Sequence, residues 1–127
     1  MRILVDANRF VDYSRADEDA RAMFDQAARI FFPFIVVGEI RAGTGITKRG
    51  REQQQILAEL LARQDVAVIH SSDNTIRLYA EIYQRLVVRG TLIPTNDIWI
   101  AALALEHDLH LYTRDQHFRH IAALKLL

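Results

Sequence analysis

The chain has 127 residues, of which 50% are hydrophobic and 25% are charged, and this predicts one domain, residues 1–127, with its own core. The formal net charge is zero, so a polyanionic partner must be held by a local basic patch or through a metal ion. The absence of cysteine excludes disulfides and thiolate metal sites, and it fits a cytoplasmic protein. No apolar run is long enough for a membrane helix or a signal peptide, so no membrane contact is predicted.

Strands and helices are predicted to alternate along the first half of the chain. Its predicted elements are a strand at residues 3–5, a short helix around Phe10, a helix over residues 18–30, a strand at residues 31–32, and a helix that begins at Pro33 and ends near Gly43 and Gly45. A buried strand followed by an amphipathic helix is the repeating unit of an α/β protein.

The second half continues the same alternation. Its predicted elements are a helix over residues 51–63, a strand at residues 66–69, a helix that Ser71 or Ser72 caps and Gly90 closes, a helix that opens around Asp97, and strands at residues 109–113 and 124–127. The pattern predicts an α/β fold in which helices flank a parallel central sheet on both faces.

Four acidic residues lie at or near the predicted edges of these elements. Asp6 follows the first strand and Asp115 the fourth, while Asp97 opens the helix before that fourth strand and Glu39 lies in the helix after the second. In parallel sheets, ligands bind outside the carboxyl ends of the strands. Carboxylates that lie close together repel one another, and a divalent cation usually compensates. Without cysteine, such oxygen ligands favour Mg²⁺ or Mn²⁺ over zinc.

Each acid also has a purely structural interpretation. Asp6 could cap the helix that follows it, Asp97 could be a first-turn acid favoured by the helix dipole, and Asp115 could be a turn residue. Glu39 could lie on a solvated helix face. The sequence leaves these alternatives open for each acid taken alone.

Other kinds of site lack their motifs. The five histidines have no HExxH spacing, and His117 and His120 are interpreted as surface or partly buried residues rather than ligands. The sequence contains no GxxxxGK[ST], GxGxxG or GxSxG motif, which argues against a P-loop, a dinucleotide site and a hydrolase elbow.

The order of the acidic residues and their neighbours resembles the PIN-domain ribonucleases and, more narrowly, the VapC toxins of toxin–antitoxin pairs. The motifs that carry the resemblance are Asp6-Ala-Asn8, Glu39, Asn96-Asp97 with Ile100-Ala101-Ala102, and Thr113-Arg-Asp115 followed by Phe118. The resemblance covers the whole chain and implies a PIN-like three-layer α/β/α fold. It also implies a Mg²⁺- or Mn²⁺-dependent endoribonuclease, a hydrolase of EC 3.1 type that cleaves RNA phosphodiester bonds.

The resemblance also assigns roles to individual residues. The metal-binding and catalytic acids would be Asp6, Glu39, Asp97 and Asp115, and the residues that support them would be Asn8 and Thr113. The family usually has Thr or Ser where this chain has Ala7, so one hydroxyl is missing but no carboxylate. A basic cluster, defined as Arg41, Lys48, Arg49 and Arg51, either binds RNA phosphates or forms a solvated loop and helix start.

Two partners are implied, a second copy of the chain in a homodimer and a VapB-type antitoxin that covers the site. The aromatic residues that could line such a surface are interpreted as core instead; they are Phe10, Tyr13, Phe31, Phe32 and Phe34. Two other functions were weighed. A silent binding module would lack one of the acids, and a haloacid-dehalogenase-like phosphatase would carry a second aspartate where this chain has Asn8.

Overall fold

A single parallel sheet organises the chain in the computed structural model, which describes residues 1–44 and 46–127. Its strands are β1 (Arg2–Val5), β2 (Arg29–Pro33), β3 (Val66–Ile69), β4 (His110–Tyr112) and β5 (Lys125–Leu126), in the spatial order β3-β2-β1-β4-β5. The helices are α1 (Ala7–Ser14), α2 (Glu18–Gln26), α3 (Phe34–Thr44), α4 (Lys48–Leu61), α5 (Asp73–Arg89) and α6 (Thr95–Glu106), and a 3₁₀ helix covers Gln116–His120. The predicted α/β class with a parallel central sheet is confirmed.

The central strand β1 and the helix α6 form the most deeply buried part of the molecule. Ile3, Leu4 and Val5 of β1 have no exposed surface, as expected for a strand covered on both faces of a parallel sheet. Helix α6 is apolar around its whole circumference. Every residue from Ile98 to Ala104 except Trp99 is buried. Because α6 packs in this way, the position of Asp97 in its first turn is fixed by the core.

A polar contact joins the start of α5 to the end of α6. Ser72 caps α5, and the fully buried Thr75 donates a hydrogen bond from Oγ1 to Oε1 of Glu106 at 2.7 Å. Ser72 Oγ donates to Oε2 of the same carboxylate, also at 2.7 Å. Burial raises the pKa of Glu106, but the hydrogen bonds from Ser72 and Thr75 outweigh it and hold that pKa below its usual range. Helix α6 is therefore held at its end as well as along its length.

The predicted boundary between α2 and β2 was wrong. Helix α2 ends at Gln26 rather than at residue 30, and Ala27 is already extended. Strand β2 starts at Arg29, because Ile30 pairs with Ile3 on one side and with Val66 on the other. Pairing with two neighbouring strands overrides the local helical pattern.

The predicted start and end of α3 also need correction. Pro33 is the last residue of β2 and pairs with Ile69, so it precedes α3 instead of opening it. Gly43 lies inside the last turn of α3, and Gly45 lies outside the described residues.

The second half follows the prediction more closely. Strand β3 has the predicted bounds, Ser72 is the cap of α5, and Gly90 ends that helix with a left-handed φ of 70°. Helix α4 begins three residues earlier than predicted, because Thr47 caps it through a hydrogen bond from the backbone N–H of Gly50. Strands β4 and β5 are shorter than predicted, so Thr113 lies just beyond β4.

The aromatic side chains belong to the core, as predicted. Phe10 and Phe32 are fully buried, and Tyr13, Phe31 and Phe34 are partly buried and pack against the same core. Within the described residues, no helix has both the length and the apolar character needed to cross a membrane.

Candidate active site

The centre of the site is a hydrogen bond between the ends of the neighbouring strands β1 and β4. Asp6 follows β1 and Thr113 follows β4, and Thr113 Oγ1 donates to Asp6 Oδ2 at 2.7 Å. Asp6 Oδ1 accepts from the backbone N–H of Ala7 at 2.8 Å, so Asp6 also caps α1. The site and the helix start thus share one carboxylate.

The structure brings Asn8 and Thr113, the two residues predicted to support the acids, next to the carboxylate of Asp6. Asn8 Nδ2 lies 3.4 Å from Asp6 Oδ2 and 3.4 Å from Thr113 Oγ1, and its Oδ1 accepts from the backbone N–H of Arg114 at 3.2 Å. Thr113 Oγ1 in turn accepts from the backbone N–H of Asp115 at 3.0 Å. Asn8 and Thr113 therefore fix the segment that carries Asp115.

The acids Asp97 and Asp115 converge on His117. His117 Nδ1 lies 3.1 Å from Asp97 Oδ2 and 3.1 Å from Asp115 Oδ1. One potential ligand atom from each of the three residues lies within 4.8 Å of the other two. The interpretation of His117 as a surface residue was right about its exposure, since half of its side chain is exposed, but wrong in leaving it outside the site.

The position of His117 follows from the turn that Asp115 begins. Asp115 Oδ1 accepts from the backbone N–H of His117 at 2.9 Å and so caps the 3₁₀ helix. The sequence signal for this contact is that His117 follows Asp115 by two positions, because a capped turn brings residues at that spacing together.

Glu39 reaches the site from α3. Its Oε1 accepts a hydrogen bond from Asn96 Nδ2 at 3.0 Å, which ties α3 to the first turn of α6. Desolvation raises the pKa of Glu39, and the negative charges of Asp6 and Asp97 raise it further, while the hydrogen bond from Asn96 lowers it in part. Glu39 therefore lies within electrostatic range of the other acids although its side chain is exposed.

The electrostatics of the site show mutual repulsion. Burial raises the pKa of Asp6, and the charge of Asp115 adds to this effect, while hydrogen bonds from Thr113 and Ala7 oppose it. Burial also raises the pKa of Asp97; the hydrogen bond with His117 lowers it, and the charges of Asp115 and Asp6 raise it. The pKa of His117 is raised by its hydrogen bond with Asp97 and by the charge of Asp115. Protonated His117 would therefore be stabilised by both acids.

The residues present fit a hard divalent cation. Carboxylate oxygens dominate the cluster, and such oxygens are the ligands that Mg²⁺ and Mn²⁺ prefer in proteins. At about 4–5 Å, two unit charges repel by roughly 3–4 kcal/mol at an effective dielectric constant near 20, before partial protonation or ion pairing reduces that energy. A cation among the acids would remove this repulsion.

The basic cluster lies beside Glu39 rather than among the acids. Arg41 is at the end of α3, and Lys48, Arg49 and Arg51 are exposed at the start of α4. Of these four, only Arg49 lines a cleft of about 330 Å³ that Glu39 also lines. The structure therefore brings one member of the cluster to the rim of the site.

Comparisons with known proteins identify the family and the fold of the chain. The profile of the PIN domain family matches residues 3–124. Ribonuclease VapC5 of Mycobacterium tuberculosis is 28% identical over 90 residues, which are 71% of this chain and 67% of that protein. The solved structure of VapBC-5 from the same organism aligns with 99% of this chain and 95% of its own at 25% identity and a TM-score of 0.76. The solved structure of DNA-bound VapBC from Salmonella typhimurium aligns with 100% of this chain and 97% of that chain, at a TM-score of 0.88. The sequence identity is 17%, so this similarity shows the fold alone. The predicted resemblance to PIN-domain and VapC-type proteins, including the α/β/α fold, is confirmed.

Repulsion among the acids can be tested without any substrate. We expect Asp97→Asn to leave the metal-free free energy of unfolding unchanged or to raise it by about 1 kcal/mol, because the change removes one of the repelling charges. The matched control is Asp73→Asn, since Asp73 is also a first-turn acid of a long helix. Loss of the favourable dipole interaction should lower the stability of that control by about 0.3–1 kcal/mol. Urea unfolding in the presence of a chelator measures both, and an equal loss in both variants would reduce Asp97 to an ordinary first-turn acid.

Proposed function

Because the chain belongs to the PIN-domain family, whose profile covers residues 3–124, we propose that it is a VapC-type toxin that cleaves RNA as a divalent-metal-dependent endoribonuclease. The observation that supports this most strongly is the convergence of Asp6, Glu39, Asp97 and Asp115 at the carboxyl edge of the sheet. The pKa values of Asp6, Glu39 and Asp97 are raised, first by burial and to a smaller extent by the charges of the other acids in the group. A fold that gathers repelling carboxylates in this way has a use for a cation.

The acids that would hold Mg²⁺ or Mn²⁺ are Asp6, Glu39, Asp97 and Asp115. The chemistry that a divalent cation supplies at such a site is polarisation of the phosphoryl oxygens and activation of a water molecule. The residues around the acids provide their orientation. Thr113 and Asn8 hold Asp6 and the segment of Asp115, and Asn96 holds Glu39.

His117 has a separate role in this proposal. Its Nδ1 lies 3.1 Å from one carboxylate oxygen of Asp97 and 3.1 Å from one of Asp115, so a proton on Nδ1 would be shared by the two carboxylates and would reduce their repulsion. The acids would repel an RNA phosphate when no cation is bound, so binding of the cation and of the substrate should be coupled.

The structure favours this function over the two alternatives. A silent binding module would lack an acid, but all four are present and electrostatically linked. A phosphatase would need a general acid at Asn8, but the Asn8 amide is hydrogen-bonded to the backbone of Arg114 and lies beside Thr113 and Asp6. Asn8 therefore holds the loop and has no proton to transfer.

The metal requirement gives a direct test of the proposed function. Asp97→Asn should abolish Mn²⁺-dependent cleavage of labelled RNA while the protein remains folded, because the substitution is nearly isosteric. Mn²⁺ at about 100 times its Kd should stabilise the wild type by about 2.7 kcal/mol, and it should stabilise Asp97→Asn and Asp6→Asn much less. Cleavage assays and thermal melts, each with chelator and with Mn²⁺, measure both effects.

Asp73→Asn serves as the control and should cleave RNA as the wild type does. Hydrolysis of a generic phosphate monoester in place of RNA would support the phosphatase instead. Equal Mn²⁺ stabilisation of all these proteins, together with cleavage by Asp97→Asn, would remove the acids from the mechanism.

The basic cluster supplies a second test, which concerns RNA binding. Arg49→Ala and Arg51→Ala together should weaken binding and reduce the slope of log K against log salt, by about 0.7 for each lost contact with single-stranded RNA. Arg49 should account for most of this change, because it lines the cleft next to Glu39. Fluorescence anisotropy at several salt concentrations measures the slope for each single variant. A slope that stays at the wild-type value would leave the cluster as surface charge.

The proposal includes two protein partners, a second copy of the chain and a VapB-type antitoxin. The solved relatives are described as VapBC complexes, which supports the antitoxin. An apolar stripe on α5, defined as Ile76, Tyr83 and Val87, supports the homodimer because each of the three side chains is at least one-third exposed.

The homodimer can be tested through the stripe on α5. In sedimentation experiments on the isolated chain we expect a concentration-dependent dimer that Tyr83→Glu shifts to monomer. Val88→Glu is the control, since Val88 is also exposed on α5 but lies off the stripe. A wild-type chain that stays monomeric at all concentrations would contradict the homodimer.

A further inference from the structure

A second group of arginines, distinct from the basic cluster, lines a cavity that Asp115 also lines. Arg9, Arg114 and Arg119 line a cavity of about 610 Å³, and Thr113 and Asp115 form part of the same wall. The remaining lining residues are Gln116, Leu126 and Leu127. The cavity is therefore continuous with the acids through Asp115, one of whose oxygens lies 3.1 Å from His117.

Two of these arginines are held by one carboxylate. Arg114 binds Asp12 with both branches of its guanidinium, Nε at 2.9 Å and Nη2 at 3.1 Å, and Arg9 Nη1 lies 3.3 Å from the same carboxylate. Arg9 also lies over the ring of Tyr112, with its guanidinium carbon 4.6 Å from the ring centre. These contacts fix the two guanidinium groups but neutralise only one of their two charges.

Donors in this group remain without partners. Arg9 Nε is buried and has no hydrogen-bond partner among the described residues. Arg119 is exposed, and no side-chain hydrogen bond or ion pair from it is found within residues 1–44 and 46–127. Leaving a buried donor of a charged group without a partner is costly. The cavity wall thus offers the exposed guanidinium group of Arg119 to a ligand, while the buried Nε of Arg9 is out of a ligand's reach.

We propose that Arg9, Arg114 and Arg119 form a binding site for a backbone phosphate of the RNA next to the one that is cleaved. A guanidinium group matches the geometry of phosphate oxygens. The three guanidinium groups line a cavity that Asp115 also lines, so they could bind one RNA phosphate while the adjacent phosphate lies among the acids. Arg49 lines a cleft with Glu39, and this group lines a cavity with Asp115, so each of these two acids has arginines beside it. That the neighbouring phosphate is the one cleaved rests on the proposed function.

The test compares Arg119→Gln with Arg29→Gln, both in the full chain that also carries Asp97→Asn so that RNA is not cleaved. Arg119 is the residue of choice because its replacement breaks no side-chain hydrogen bond or ion pair found within the described residues. Arg29 is an exposed arginine at the opposite, amino-terminal end of β2. The probe is a labelled single-stranded RNA of mixed sequence, and its binding is measured by anisotropy from 50 to 200 mM salt.

We expect Arg119→Gln to reduce the slope of log K against log salt by about 0.7, because one phosphate contact is lost, and Arg29→Gln to leave it unchanged. An unchanged slope for Arg119→Gln, or an equal reduction in both variants, overturns the site. Weaker binding of a labelled oligoglutamate together with an unchanged RNA slope also overturns it, in favour of an acidic polypeptide.

Cleavage by the wild-type chain is measured separately, and this keeps the two ideas distinguishable. If the wild type cleaves RNA while Arg119→Gln keeps the full slope, the phosphate site fails and the nuclease stands. If the wild type cleaves no RNA but the slope still falls in Arg119→Gln, the nuclease fails and the phosphate site stands.

Discussion

The hydrogen bond from Thr113 to Asp6 joins the ends of β1 and β4, two neighbouring strands of the sheet, and the positions of Asp115 and His117 depend on it. Val5 pairs with Tyr112 in the parallel ladder, and the backbone N–H of Asp6 still donates to the carbonyl oxygen of Tyr112 at 3.1 Å. The side-chain bond between Thr113 and Asp6 therefore continues the ladder one step beyond the backbone. Asp115 and His117 take their positions from the turn that this step begins.

The features of the site that could be predicted from the sequence are those set by short-range pattern. Asp6 and Asp115 were predicted to share an edge because each follows a buried apolar run, and a parallel sheet brings such ends together. Asp97 was predicted at the start of a helix, and the continuous apolar character of α6 fixes that helix in the core. The boundary at Ile30 could not be predicted in this way, since it depends on pairing with Val66, which lies 36 residues further along the chain.

The arginines that surround the acids were only partly predictable for a related reason. Arg41, Lys48, Arg49 and Arg51 are close in sequence, so they were visible as a cluster. Arg9 and Arg114 lie 105 residues apart, and only the contact of both with Asp12 brings them together. His117 was missed because its approach to Asp97 depends on the capped turn at Asp115, and spacing alone does not show which way such a turn directs a side chain.

The structural and the chemical interpretations of the acids turn out to be compatible rather than competing. Asp6 caps α1, as the structural interpretation predicted, and Asp115, which that interpretation made a turn residue, caps the 3₁₀ helix; each does so through Oδ1. Within the described residues, no hydrogen bond is made to Oδ2 of Asp115, to Oδ1 of Asp97 or to Oε2 of Glu39. Asp115 caps with Oδ1 and is held in a fixed orientation, while its Oδ2 accepts no hydrogen bond within the described residues. Both oxygens of Asp6 already accept hydrogen bonds, from the backbone N–H of Ala7 and from Thr113 Oγ1. A structural cap therefore leaves an oxygen for a ligand in Asp115, whereas in Asp6 a ligand would have to share oxygens that already accept hydrogen bonds.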